Sequence, residues 1–210
     1  MPEKYKIVLA SSSPRREHIL KQMGINDFKV IRPSFSEENY KYDLPITKKV
    51  VEFAFLKANS VLKEIKNRNY IIVSGDTEVF RSGRVFSKTS SRKEVGAYLK
   101  SLSGRKHFVY GGLCVMNTKG KISRRLVKTE VYFNRISCKE LEDKTLINEG
   151  IGKSGGYAIQ GLAGKFVKKI RGSYSNVVGL SISDLYSILK GFGFKNWNFC
   201  QPIVITNLEF

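Results

Sequence analysis

Residues 5–24 read YKIVLASSSPRREHILKQMG. Residues 5–9 form a short apolar run, which three serines and Pro14 bring to an end. A proline just inside a helix start is favourable, because its fixed φ suits the first turn and its missing N–H would lack a partner there anyway. Ser13 then reads as the N-cap, Ile19, Leu20 and Met23 as the apolar stripe, and Gly24 as the stop. A strand that passes through a serine cluster into a helix is the opening of an α/β fold. It is also a place for an anion, since a helix N-terminus offers free N–H groups and the positive end of its dipole. Arg15 and Arg16 in the first turn oppose that dipole, which makes sense where a phosphate neutralises them. The alternative is a plain N-cap with two solvated arginines.

The alternation continues along the chain. Residues 47–66 predict a helix whose face carries Val51, Phe55, Ala58, Leu62 and Ile65. Residues 70–74 predict a strand that ends before Gly75-Asp76-Thr77. Ser91-x-x-Glu94 and Ser137-x-x-Glu140 are capping boxes, the first ahead of Val95, Tyr98, Leu99 and Leu102, the second ahead of Leu141. Two long strands, 107–116 and 121–136, flank a turn at 117–120, and the second alternates Val127, Thr129, Val131 and Phe133. A last helix from about Ser183 carries Leu185, Ile188, Leu189 and Phe192. With no repeat, linker or composition shift, residues 1–210 read as one α/β domain.

Composition bounds the function. Hydrophobic residues make up 41% and charged residues 26%, which excludes disordered and collagen-like classes. Lys and Arg number 37 against 18 Asp and Glu, a net charge of +19 that invites a nucleic-acid or phosphate partner without choosing between polymer and small anion. Cys114, Cys138 and Cys200 are scattered and odd in number, so they offer neither a disulfide framework nor a zinc spacing. The N-terminal apolar run is too short for a signal peptide and no stretch of 18 apolar residues occurs, so the expected place is the cytoplasm, without a membrane partner.

Residue chemistry narrows the candidates. Asp76 after an apolar strand stands where α/β sheets place ligands, as a metal ligand or general base beside Thr77; an Asx-turn is the competing reading. Residues 152–166, GKSGGYAIQGLAGKF, fail as a P-loop, because Ile159 stands at the first glycine and Phe166 at the magnesium-binding hydroxyl. With only His18 and His107, both read as structural, a histidine-driven nucleophile is not expected. Glu37-Glu38 is an acidic loop pair that, with Asp76, could hold a hard divalent cation through oxygen ligands.

Taken together, these segments resemble the Maf family of nucleoside triphosphate pyrophosphatases. LASSSPRREHIL (9–20), Lys57-Ala58, Gly75-Asp76-Thr77, LSGRKHFV (102–109), GGYAIQG (155–161) and GSYSNVVGL (172–180) recur in that family's order over residues 6–190; the tail 195–210 is unassigned. The resemblance implies a Maf/ITPase-like α/β domain, a twisted mixed β-sheet flanked by helices with a nucleotide cleft. It implies hydrolysis of a nucleoside triphosphate to the monophosphate and pyrophosphate, and a homodimer. Asp76 would be the general base, and Glu38, with Glu37 as the alternative register, would hold Mg²⁺ or Mn²⁺ together with Asp76. Ser11 and Arg16 would grip the triphosphate; Lys57 and Lys88 would neutralise the leaving pyrophosphate. Such a reaction draws most of its catalysis from electrostatics and positioning.

Arg15, Thr77 and Gln160 match the family's dTTP/UTP branch rather than the one acting on 7-methyl-GTP. A Gln amide offers one donor and one acceptor to the O4 and N3–H edge of uracil or thymine, modified pyrimidines included. Thr89, Gly152 and Ser181 depart from the family pattern, which has Pro, Asp and Pro there. The charge keeps a second reading open, a nucleic-acid-binding or cell-division regulatory protein on the same scaffold; from 81 to 139 the chain holds 15 basic residues and only Glu94 and Glu130 as acids.

Overall fold

The computed structural model describes residues 5–37, 40, 43–65 and 69–197. Where the sequence alternates apolar runs with amphipathic stretches, the chain alternates strands and helices. The strands are β1 (Lys6–Ala10), β2 (Phe28–Ile31), β3 (Tyr70–Arg81), β4 (Arg84–Phe86), β5 (Lys106–Asn117), β6 (Ile122–Phe133) and β7 (Val167–Arg171). The helices are α1 (Pro14–Gln22), α2 (Ile46–Glu64), α3 (Arg92–Leu102), α4 (Cys138–Leu141), α5 (Lys144–Gly150), α6 (Tyr174–Val178) and α7 (Ile182–Gly191).

All seven strands join one mixed sheet in the order β2-β1-β3-β5-β6-β7, with β4 paired to β3. β1 runs parallel to β2 and β3, while β3, β5, β6 and β7 pair antiparallel. Side chains on a strand alternate between faces, so the sheet sorts its apolar residues into two layers. Ile7, Leu9, Ile71, Val73, Leu113 and Val115 enter the larger core, where α1, α3 and α7 pack. Val8, Ala10, Ile72, Cys114 and Met116 face the other way, onto Ala54, Ala58 and Val61 of α2. The expected mixed sheet flanked by helices is what the chain adopts.

Several local expectations need correction. β3 does not end at Ser74 but continues through Gly75, Asp76 and Thr77, paired with Leu113, Gly112 and Gly111, as far as Arg81. Asp76 therefore belongs to a strand, and the Asx-turn reading fails. The buried face of α2 is Val50, Phe53, Ala54, Lys57, Ala58 and Val61; Val51, Phe55 and Leu62 lie at its margins. The stripe was misplaced because Lys57, a charged residue, points inward. The Ser137 capping box is complete but heads a helix of only four residues. α7 starts at Ile182, one residue earlier than Ser183 implied, because Ser181 Oγ caps it by accepting from the Asp184 N–H. Trp197, in the unassigned tail, packs against Tyr186 and Phe194 with ring centroids 5.0 and 5.1 Å away. Cys114 and Cys138 are free thiols, and burial pushes Cys114 up to about 12; Cys200 lies outside the described residues.

Candidate active site

The site begins with α1. Ser13 caps it without a side-chain hydrogen bond; the Arg16 and Glu17 N–H groups donate to the Ser13 carbonyl and Pro14 has none, which leaves the Arg15 N–H at the helix end. Ser11, Ser12, Ser13 and Pro14 line one wall of a cleft of about 760 Å³. Arg16 is 7% exposed, so the reading of two solvated arginines fails for it. Its guanidinium donates to Ser11 Oγ at 3.0 Å, to Thr77 Oγ1 at 3.3 Å and to the Gly179 carbonyl at 3.1 Å. One side chain thus ties the serine loop, β3 and the end of α6 together. Burial pulls the Arg16 guanidinium below its ordinary value, and the Asp76 carboxylate opposes that pull. Arg15 donates to the Val178 carbonyl at 3.2 Å and shares the same wall.

The opposite wall is built by α2, which lies against the sheet because β5 is stripped of side chains beneath it. A Cβ at Gly112 would come within 1.9 Å of the Val50 carbonyl oxygen, so only glycine lets the helix approach this far. The Ser74 hydroxyl, one pleat from Asp76 on the same face, donates to the Ala54 carbonyl. This seating carries Lys57 onto Asp76. The ammonium donates to Asp76 Oδ1 and to Glu37 Oε1, both at 2.6 Å, and Lys88 stands 3.6 Å from Glu37 Oε1. Burial works against the charge on Glu37, but Lys57 and Lys88 outweigh it and hold the carboxyl below its usual range.

Asp76 is 1% exposed and stands behind Lys57; its Oδ2 is buried and accepts no hydrogen bond among the described residues. Glu78, two residues on and facing the same way, is pushed up to about 7, first by burial and second by the charge on Asp76. These donors are carboxylate oxygens, the ligand type of a hard divalent cation. Among the described residues no three His, Cys, Asp or Glu side chains gather as a metal cluster, and Glu38 lies outside those residues.

Ser11, Arg15, Arg16, Glu37, Lys57, Thr77 and Lys88 therefore meet at one cleft. Gln160 does not join them. It is exposed and lines a neighbouring cleft with His18, Ser173 and Tyr186, and Val178 borders both. Arg32, Lys153, Ser154 and Tyr157 line the first cleft and went unnoticed in the sequence. Lys153 had a signal, as the one cation opening the glycine-rich stretch; Arg32, before a proline in a loop, had none. The departures from the family pattern are accommodated. The Gly152 N–H donates to the Thr89 carbonyl at 2.9 Å, which ties the Lys88 loop to the glycine-rich segment.

The family described as Maf-like protein matches residues 6–192. The chain belongs to the Maf family. The dTTP/UTP pyrophosphatase of Chelativorans sp. is 41% identical over 198 residues, covering 91% of this chain and 95% of that protein. The dTTP/UTP pyrophosphatase of Clostridium novyi is 40% identical over 189 residues, covering 90% and 98%. Among solved structures, the Staphylococcus aureus Ham1 protein aligns with a TM-score of 0.48 at 15% identity, over 89% of this chain and 99% of that one. Three of the Maf motifs meet at the walls just described: the serine loop and α1 on one side, Lys57 and Asp76 on the other. No helix among the described residues is long and apolar enough to cross a membrane.

Proposed function

We propose that this Maf protein hydrolyses dTTP and UTP to the nucleoside monophosphate and pyrophosphate. The observation that carries the reading is the Lys57 ammonium between Asp76 and Glu37, at the wall of a cleft that Arg15, Arg16, Lys88 and Lys153 make cationic. A triphosphate suits that field, and the buried carboxylate suits activation of water. Relatives named dTTP/UTP pyrophosphatases supply the substrate class.

The α1 N-terminus, the Ser11 hydroxyl and the Arg15 and Arg16 guanidiniums bind the phosphates. Asp76 Oδ2 takes the proton from water as the water oxygen bonds to phosphorus and the α–β bridging P–O bond breaks. Lys57 and Lys88 meet the charge that collects on the departing pyrophosphate. Asp76 and Glu38 would hold Mg²⁺ or Mn²⁺, which when bound supplies further charge neutralisation on the phosphate oxygens. Thr77 Oγ1 holds the Arg16 guanidinium on the phosphates, and Gln160 reads the base of a nucleotide that extends past Val178 into the neighbouring cleft.

A panel of nucleoside triphosphates, assayed for released pyrophosphate with Mg²⁺ or Mn²⁺, tests the proposal. The expected result is turnover of dTTP and UTP above purine nucleotides, with Asp76→Asn at least about a thousand-fold slower and melting close to wild type. Full activity in Asp76→Asn, or no turnover across the panel, sinks it.

A further inference from the structure

The sheet face that carries Asp76 extends beyond α2, and its composition changes there. α2 meets β6 at Arg124, whose guanidinium lies 3.4 Å from the Phe55 ring centroid and pairs with Glu52. Past that point strand pairing sets Phe80 against Phe108, Phe108 against Glu130, and Glu130 against Arg171. The flanking rows place Tyr110 against Lys128, and Lys106 against Tyr132, which faces Lys169. Pleat alternation puts all these side chains on one face, because their neighbours Val109 and Val131 are buried in the core on the other.

Lys106, Lys128, Lys169 and Arg171 are exposed, and Phe80, Phe108 and Tyr132 are half-buried. The Phe108 and Tyr110 rings are 6.1 Å apart and tilted by 31°, and Phe80 lies 6.1 Å from Tyr110. The Lys128 and Lys106 ammoniums stand 4.3 and 5.1 Å from the Phe108 centroid. Glu130 accepts from the Tyr132 hydroxyl at 2.6 Å, so a carboxylate in these rows is already engaged.

An aromatic platform among four exposed cations complements a single-stranded polynucleotide, which offers flat bases to stack and phosphates at regular intervals. A duplex hides its base faces. A second copy of the chain fits poorly, since a two-fold contact through this face would press its cations against their own counterparts. We propose that the sheet face centred on Phe108 binds single-stranded nucleic acid. It uses none of the residues assigned to the triphosphate cleft and stands or falls separately from the hydrolysis.

Fluorescence anisotropy of the full chain tests this with labelled oligothymidylate and oligouridylate of about twenty nucleotides, against a duplex of equal length. Phosphatidylserine vesicles and sedimentation test the other occupants. The single strands are expected to bind at low salt at least about ten-fold more tightly than the duplex. Phe108→Ala should weaken them about ten-fold. The double variant Lys169→Gln/Arg171→Gln changes two exposed side chains on an edge strand, so its folding is not at stake. It should reduce the slope of log affinity against log salt by about 0.7 for each cation removed. Pyrophosphate release should be unchanged in both. No single-strand binding, a preference for duplex or vesicles, or a dimer formed through this face would overturn the proposal. So would an affinity and salt slope that neither variant moves.

Discussion

His107 shows how much one buried side chain can govern. It is fully buried, its Nε2 lies 2.8 Å from the Tyr157 hydroxyl, and Phe133 and Tyr157 pack edge-on against its ring. Burial pulls it from 6.5 to about 3. Between those values the unfolded chain takes up a proton that the folded chain refuses, so stability is whole above pH 6.5 and declines as the pH falls toward 3. The decline from this ring approaches about 1.4 kcal/mol per pH unit. In urea unfolding across that window, His107→Gln is expected to be less stable at neutral pH yet flatter in its pH dependence. Parallel curves for the two proteins would remove His107 as the cause. The structural reading of His107 was accessible from its place at a strand start, but the Tyr157 partner, fifty residues on, was not.

At the scale of elements, the site depends on how closely α2 lies on the sheet. Gly112→Ala puts a methyl group 1.9 Å from the Val50 carbonyl and 2.7 Å from the Val51 nitrogen, both backbone atoms that move only with the helix. The expected loss is about 1–3 kcal/mol or more in stability, together with slower pyrophosphate release, because a lifted α2 draws Lys57 away from Asp76. Gly96→Ala in α3 is the contrast, since a Cβ there meets nothing within 4 Å. It should stabilise the chain by about 0.5–1 kcal/mol and leave turnover alone. Thermal melts and the pyrophosphate assay read both, and an undisturbed Gly112→Ala enzyme would show that the helix does not set the site. The existence of α2 was legible in its apolar spacing, but its rotation was not. Periodicity assigns an inward lysine to the outside, and only the carboxylates of β3 and the 32–37 loop explain why Lys57 turns in.

At the scale of the whole molecule, even one-to-one pairing of all 18 acids leaves 19 basic side chains unmatched. Self-repulsion of that size opposes the compact state, and salt screens it over about 10 Å at 0.1 M. The melting temperature is therefore expected to rise as sodium chloride goes from about 0.02 to about 0.2 M. A fall would mean that local ion pairs such as Lys57 with Asp76 outweigh the general repulsion. The charge has two addresses in the fold, the cleft around Arg16 and Lys57 and the face around Phe108, and neither is visible as a run of basic residues.

The sequence alone determined the order of strands and helices, the anion-ready turn into α1 and the motifs that place the chain in the Maf family. Those properties are local: apolar spacing, a proline at a first turn, serines at caps and short signatures survive without knowledge of any distant contact. The tertiary structure decided what depends on long-range pairing. It carried β3 through Gly75-Asp76-Thr77 by pairing them with Leu113, Gly112 and Gly111 of β5, where Gly112 opens the sheet to α2 and Gly111 opens the other face to Asn176 of α6. It buried Arg16 under Gly179, set one ammonium between two carboxylates, and left Gln160 at a neighbouring cleft. A buried charge is stable only with its partners in reach, and partners from 19 to 163 residues away are fixed by the sheet order rather than by neighbours in the chain.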